Sequence, residues 1–192
     1  MADSNKVLFG FSDLYIGTYT VDDQGQVTMG TPYHQKGAVG FSPEESSDKN
    51  DFYADNSVYY TSYNTGTFEG DLTVAKFDDA FKKQFLGYVQ LADGGLAQIK
   101  DAVRPNVYVA FEVQGDKHAR RAIFYNGSLG AITREYNTIE DTKEPQTESI
   151  SATFVGDNVT GITKVTYNYG DDGYDTLFTN PPAPTLPSES DS

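Results

Sequence analysis

Acid–base catalysis near neutral pH needs a positioned imidazole or a perturbed carboxylate. The 192-residue chain offers two histidines, His34 and His118, together with 28 Asp/Glu. His34 stands in a polar stretch, and His118 stands beside Lys117, Arg120 and Arg121; neither has a catalytic setting. The patterns that place a serine on a nucleophile elbow, zinc between paired histidines or phosphate in a glycine loop (G-x-S-x-G, H-E-x-x-H, the P-loop, G-x-G-x-x-G) do not occur. A glycosidase needs only two carboxylates, but among 28 acids any pair is too common to single out. The absence of cysteine excludes disulfides, thiolate metal sites and cysteine nucleophiles. Asp171-Asp172-Gly173-Tyr174-Asp175 presents carboxylate oxygens of the kind calcium takes, yet its spacing misses the EF-hand loop and reads as a solvated turn. No catalytic residue, metal ligand or cofactor is therefore assigned.

Charge narrows the partners. The net charge is −14 and the pI about 4.3, which disfavours tight binding to nucleic-acid phosphates or to anionic membranes. Its distribution is uneven: residues 1–75 hold three Lys/Arg against eleven Asp/Glu, 76–134 nine against six, and 135–192 two against eleven. Either surface loops merely differ in charge, or copies associate head to tail, a basic patch meeting an acidic one. The N-terminal residues interrupt a short apolar run, Val7 to Phe11, with Asp3 and Asp13, which fits neither a signal peptide nor a membrane helix. The triplets Asn126-Gly127-Ser128 and Asn158-Val159-Thr160 read as turn and strand residues.

The elements that must position these groups are mostly strands. In Asn106 to Gln114, Val107, Val109, Phe111 and Val113 fall on one face and Tyr108, Ala110, Glu112 and Gln114 on the other. Residues 58–63 and 67–75 predict two neighbouring strands, the second with Phe68, Leu72 and Val74 opposite Glu69 and Asp71. Arg120 to Tyr125 and Ser128 to Thr133 flank Asn126-Gly127, which predicts a tight hairpin. Leu14 to Thr20 and the stretch around Ile150, Ala152 and Phe154 complete the strands. Phe77, Phe81 and Phe85 recur every four residues with Leu86 alongside, Asp78 and Asp79 in the first turn, Lys82 and Lys83 later and Gly87 as terminator, the pattern of a short amphipathic helix. Ser42 to Asn50 reads as an exposed loop. The expected fold is mainly β, an antiparallel β-sandwich or partly closed barrel with one short flanking α-helix. Residues 1–156 form the domain with an N-terminal arm, 157–179 a C-terminal hairpin arm, and 180–192 a disordered Pro/Ser-rich tail.

Asp51-Phe52-Tyr53-Ala54-Asp55-Asn56, after a Pro-Glu-Glu segment and before Tyr59-Tyr60, resembles the central signature of the major tail proteins of long-tailed bacteriophages. Gly66 to Leu72, the helix ending in Phe85-Leu86-Gly87, Val107 to Val113, Arg121 to Tyr125 and the run Thr138 to Ser149 into Ile150 to Val155 keep the family's order. The resemblance spans roughly residues 5–156. It implies a structural virion protein, the major tail tube subunit, self-assembling into stacked hexameric rings that form the DNA-conducting channel. It also implies a tape measure protein, a tail terminator and distal tail or baseplate proteins as partners, transient passage of double-stranded DNA, no membrane, no enzyme activity, and assembly in the host bacterial cytoplasm.

On that reading the inter-subunit contacts are expected at Phe9, Phe11, Glu44, Glu45, Asp48, Lys117, Arg120 and Arg121, and the channel-facing acids at Glu69 and Asp71. Tyr53 is expected in the core, with Asp55 and Asn56 making a turn. Two other readings stay open at this point: a monomeric β-sandwich module that binds carbohydrate or a cell surface, and a carboxylate-dependent hydrolase.

Overall fold

The computed structural model describes residues 7–54, 57–134 and 146–187, with backbone alone for 9, 47–54 and 57–65. Its strands are β1 (Leu8–Val21), β2 (Val27–Met29), β3 (Tyr33–Gln35), β4 (Ala38–Ala54) and β5 (Ser57–Val74), then helix α1 (Asp79–Leu86), then β6 (Val89–Gln90), β7 (Leu96–Ala97), β8 (Val107–Gly115), β9 (Arg120–Arg134), β10 (Glu148–Phe154) and β11 (Lys164–Tyr167). One antiparallel sheet runs β2-β1-β8-β9-β10-β5-β4, with β3 also on β1 and β11 also on β9, while β6 and β7 form a separate small pair. The sheet is open and curled: the Phe41 ring of the end strand β4 meets Phe111 of β8, Phe124 of β9 and Phe154 of β10 at 5.5–6.0 Å.

The concave face follows from the period-two pattern. Val107, Val109, Ala122, Phe124, Leu72, Val74, Ile150, Ala152 and Phe154 are buried there in one cluster. Helix α1 plugs that cluster with Phe81 and Phe85, and Phe77 enters just ahead of it. The helix exists because both its ends are satisfied. Asp78 at the N-cap accepts a 2.8 Å bond from the Phe81 N–H, and Gly87 takes the left-handed conformation (φ 69°) as its C-cap.

The convex face is covered too. Tyr19, Tyr108, Ala110, Ile123, Tyr125 and Leu177 form a second buried cluster. Three tyrosine hydroxyls find acceptors: Tyr19 donates to Asp157 at 2.5 Å, Tyr108 to the Gly30 carbonyl at 2.7 Å, and Tyr125 to the Pro182 carbonyl at 3.0 Å. Burial first, and for Tyr19 the neighbouring Asp157 as well, pushes all three phenols far above their ordinary pKa. They stay neutral donors.

Several segments differ from their sequence-based expectations. Arg120–Arg134 is one strand, not a hairpin. Asn126 does take a positive φ of 51°, but it spends it on a bulge, where β8 and β9 slip register between Val107/Gly127 and Val109/Phe124. The Asn126 amide locks the bulge, accepting from Asn106 at 2.8 Å and donating to the Gly156 carbonyl at 2.7 Å. Ser42–Asn50 is not a loop but part of β4, and the two strands expected within 58–75 are one, β5. Instead of a hairpin arm, Lys164–Tyr167 pairs with β9 as a strand of the main sheet. The residues after it lie along the convex face, with Pro181 and Pro184 buried. From Leu8 onward the N-terminal segment is held by β8 rather than hanging free as an arm. Asp55 and Asn56 lie outside the described residues, as do 135–145 and 188–192.

Candidate assembly surfaces

The ribbon made by β4 and β5 is longer than the sheet it belongs to. β10 pairs with β5 only over Phe68–Val74, whereas β4 and β5 pair with each other from Ala38↔Val74 out to Ala54↔Ser57. Beyond Phe68, therefore, the ribbon has two strands and no further ladder partner among the described residues. A bulge marks the departure point: register shifts between Ser46 and Asp48, opposite Gly66 with φ 104°. There the Gly66 N–H donates to Glu45 at 3.1 Å and its carbonyl accepts the Thr163 hydroxyl at 2.6 Å. An isolated two-stranded ribbon is marginally stable in water, and its open edges are templates for pairing with another chain.

The convex side of β4, β5 and β10 is a polar floor. Glu44 stands opposite Glu69, Ser42 opposite Asp71, Asp71 opposite Ser151 and Glu69 opposite Thr153. Glu44, Glu69 and Asp71 are exposed. The Thr73 and Ser149 hydroxyls join at 2.8 Å. No Lys or Arg occurs at these positions. Like charges directly opposite across a strand pair repel, so Glu44 and Glu69 cost the isolated copy stability rather than contributing to it.

Glu44, Glu69 and Asp71 are thus brought together by the fold. The other residues expected at contacts are scattered. Phe11 packs inward, its ring 5.2 Å from Phe111, and the Phe9 and Asp48 side chains lie outside the description. Lys117 lies in the β8–β9 connection and exposed Arg120 begins β9. Arg121 is committed within the chain: its Nε pairs with Glu112 at 2.9 Å, its Nη1 donates to the Tyr174 carbonyl at 2.6 Å, and its guanidinium lies between the Tyr174 and Phe178 rings at 4.1 and 4.4 Å. The clasp continues through Phe178 stacked on Tyr15 and Tyr15 stacked on His34, each at 4.6 Å, and His118 stacks on Tyr169 at 4.4 Å. Both histidines thus serve packing contacts. Among the described residues no three His, Asp or Glu gather in a metal-holding group, and no helix is long and apolar enough to cross a membrane.

The sequence reading missed the hydroxyl neighbours of the acids, Ser42, Ser151 and Thr153. For Ser151 and Thr153 the signal was there, because they alternate with the apolar Ile150, Ala152 and Phe154.

Among the described residues the fold is a curled β sheet capped by one helix, with a two-stranded ribbon projecting from it. Comparison with known proteins gives the family: the model described as "Phage tail tube protein" matches residues 2–168, and the chain belongs to that family. The match runs through β11, further than the resemblance read from the sequence. Two solved structures share the fold. The cap that terminates the tube of the anti-feeding prophage has a TM-score of 0.50 at 8% identity, covering 88% of this chain and 97% of that one. A sheath/tube terminator of the extracellular contractile injection system PVC, in its extended state, has a TM-score of 0.50 at 7% identity, covering 81% and 94%. No curated protein sequence matches. The chain is a structural, β-rich component of a phage tail tube.

Proposed function

We propose that this chain is the major subunit of the tube, closing into hexameric rings that stack into the DNA-conducting channel of the phage tail. The supporting observation is the β4–β5 ribbon: roughly ten residues of each strand extend past the last ladder partner, and such a ribbon gains order by lying against a neighbour. In this arrangement the polar floor of β4, β5 and β10 faces the channel. Glu44, Glu69 and Asp71 repel the phosphate backbone there, and the short hydroxyls give passing DNA nothing to grip; a lysine in their place would add attraction that transport must overcome. Exposed Arg120 and the N-terminal strand remain contacts to the next copy, while Arg121 and Phe11 serve the fold. A tape measure protein occupies the lumen during assembly in the host cytoplasm, a terminator closes one end and distal tail or baseplate proteins the other.

The test shortens the ribbon, replacing residues 47–65 by a tight turn that joins Ser46 to Gly66. The shortened chain is expected to keep its thermal transition, because among the described residues the removed strand segments have no ladder partner but each other, and to lose tube formation in negative-stain micrographs. Tubes from a folded, shortened chain would contradict the proposal. Wild-type chain that stays monomeric at high concentration while binding glycans would point to a binding module instead.

A further inference from the structure

Asn126-Gly127 is the one Asn-Gly pair in the chain, and such a pair carries chemistry of its own. The Gly127 nitrogen, losing its proton, can attack the Asn126 Cγ. A ring C–N bond forms, the bond to the side-chain nitrogen breaks, and that nitrogen leaves with the proton as ammonia. Water then opens the succinimide at either carbonyl, which leaves aspartate or isoaspartate at position 126. Glycine makes the attack easy in an open chain because no Cβ shields its nitrogen or restricts its backbone.

The fold both requires this pair and holds its reacting atoms in place. Asn126 sits at φ 51°, a conformation that asparagine tolerates better than most residues with a Cβ, and it is 6% exposed. Its amide is committed at both atoms: Oδ1 accepts from Asn106 at 2.8 Å and Nδ2 donates to the Gly156 carbonyl at 2.7 Å. The peptide that must rotate is pinned as well, because the Asn126 carbonyl accepts the Val155 N–H at 3.3 Å. Gly127 stands in the ladder opposite Val107 of β8 and Phe154 of β10. A Cβ there would lie 2.4 Å from the buried Phe154 ring, so any other residue would push into the core. Ring closure needs the Asn126 side chain to leave both partners and the Gly127 nitrogen to turn towards it. Two neighbouring strands oppose both movements.

We propose that Asn126-Gly127 is a deamidation site that the fold keeps shut: unreactive while β9 is paired, converted when the chain opens, and barring return once converted. A carboxylate at position 126 has no N–H for the Gly156 carbonyl and sets two oxygens against each other. Isoaspartate adds a backbone atom to a strand paired on both sides, which breaks the register of both ladders. Reaction through an opened state tracks the population of that state. Folded chain is therefore preserved, and chain left unfolded is retired from the pool that can fold. This holds for the single chain and does not depend on the tube.

Folded wild-type chain, the same chain in guanidinium chloride, and a synthetic peptide of residues 122–134 with and without the denaturant are incubated side by side at mildly alkaline pH. Trypsin cuts after Arg121 and Arg134 and releases that stretch, in which Asn126 is the single asparagine. Mass spectrometry reads the gain from amide-to-acid exchange, and chromatography separates the aspartate and isoaspartate forms. The unfolded chain is expected to convert at the rate of the peptide in denaturant, and the folded chain at least about a hundredfold more slowly than the free peptide, because β9 opens only with the core. A smaller ratio overturns the proposal, as does unfolded chain whose Asn126 stays intact. Refolding by dilution tests the bar to return. Aged wild-type chain should partition, with the converted peptide confined to the fraction that fails to refold; converted peptide in the native fraction at its share of the mixture would overturn the proposal. Asn126→Gly keeps the positive φ and has no amide to lose, so its refolding yield after ageing should equal its own yield before. A fall as large as that of the wild type would place the damage elsewhere and overturn the proposal too. The partition of the wild type needs no variant, so it decides the matter even where Asn126→Gly folds poorly.

Discussion

Leu177 is the sharpest probe of the C-terminal segment, because it is fully buried against Tyr19, Tyr108, Ala110, Ile123 and Tyr125. Leu177→Ala removes three apolar carbons at about 0.8 kcal/mol each, roughly 2.4 kcal/mol of transfer free energy. The cavity left under Tyr108 and Tyr125 adds to this, since both rings are fixed by hydrogen bonds and relax little; the total falls in the range of about 2–5 kcal/mol. For a chain of this size that lowers the thermal midpoint by about 2–4 °C per kcal/mol. The assay is urea unfolding of dilute, unassembled chain, followed by tyrosine fluorescence and far-ultraviolet circular dichroism. Both probes should move together, because Leu177 rests on β8 and β9, the strands on which the main core is built. Leu186→Ala is the control: Leu186 is 62% exposed, and its truncation should change stability by no more than about 0.5 kcal/mol. A Leu177→Ala chain as stable as that control would refute the cladding of the convex face.

Other perturbations reach the remaining elements. Asn126→Ala puts an alanine at a positive φ and removes one buried and one part-buried amide hydrogen bond, so chemical denaturation should show a loss of about 2–4 kcal/mol; a neutral result would contradict the bulge as a fixed feature. Burial alone would raise the Asp157 pKa, but bonds from Tyr19, Thr160 and Val159 outweigh it and hold the carboxyl below its ordinary range. Its contribution is therefore complete above the unfolded-state pKa, about 3.9, and is lost as pH falls through the lower folded value. Asp157→Asn should flatten that part of the stability profile, and an unaltered acid limb would contradict it. Arg121→Ala should destabilise the monomer, since it frees Glu112 and the clasp over Tyr174 and Phe178, whereas Arg120→Ala should leave unfolding unchanged; equal effects would contradict the division of roles between them. Tubes of the E69K/D71K chain should retain duplex DNA at low salt and release it as salt rises; indifference to DNA would place that face away from the channel.

Much of the body was legible in the sequence because its strands bury one face. The alternation of Val107, Val109 and Phe111, and of Leu72 and Val74 against Glu69 and Asp71, gave the concave core and the polar floor together. The Phe77, Phe81, Phe85 spacing likewise marked a helix ending at Gly87 as expected, while Asp78, expected inside the first turn, is its N-cap. What stayed hidden has physical reasons. Asn126-Gly127 carries the same preference for positive φ in a bulge as in a turn, and only the pairing of β8 and β10 with β9 decides between them. Ser42–Asn50 runs Ser-Pro-Glu-Glu-Ser-Ser-Asp-Lys-Asn without an apolar residue beyond its proline, so it shows no hydrophobic alternation although it is strand. The stretch from Asn168 onward buries Tyr174, Leu177, Pro181 and Pro184 at scattered spacing, which no strand or helix period reports. Arg121 looked like surface charge because Glu112 and its two aromatic partners are remote in sequence.

The central claim is that this chain makes its working structure only by meeting copies of itself. Negative-stain or cryo-electron microscopy of the purified full-length chain at high concentration tests that most directly. The account predicts hollow tubes of stacked rings, six copies to a ring, with density for the β4–β5 ribbon crossing from each ring to the next. Uniform monomers at every concentration and salt tried, with no rings or tubes, would contradict it.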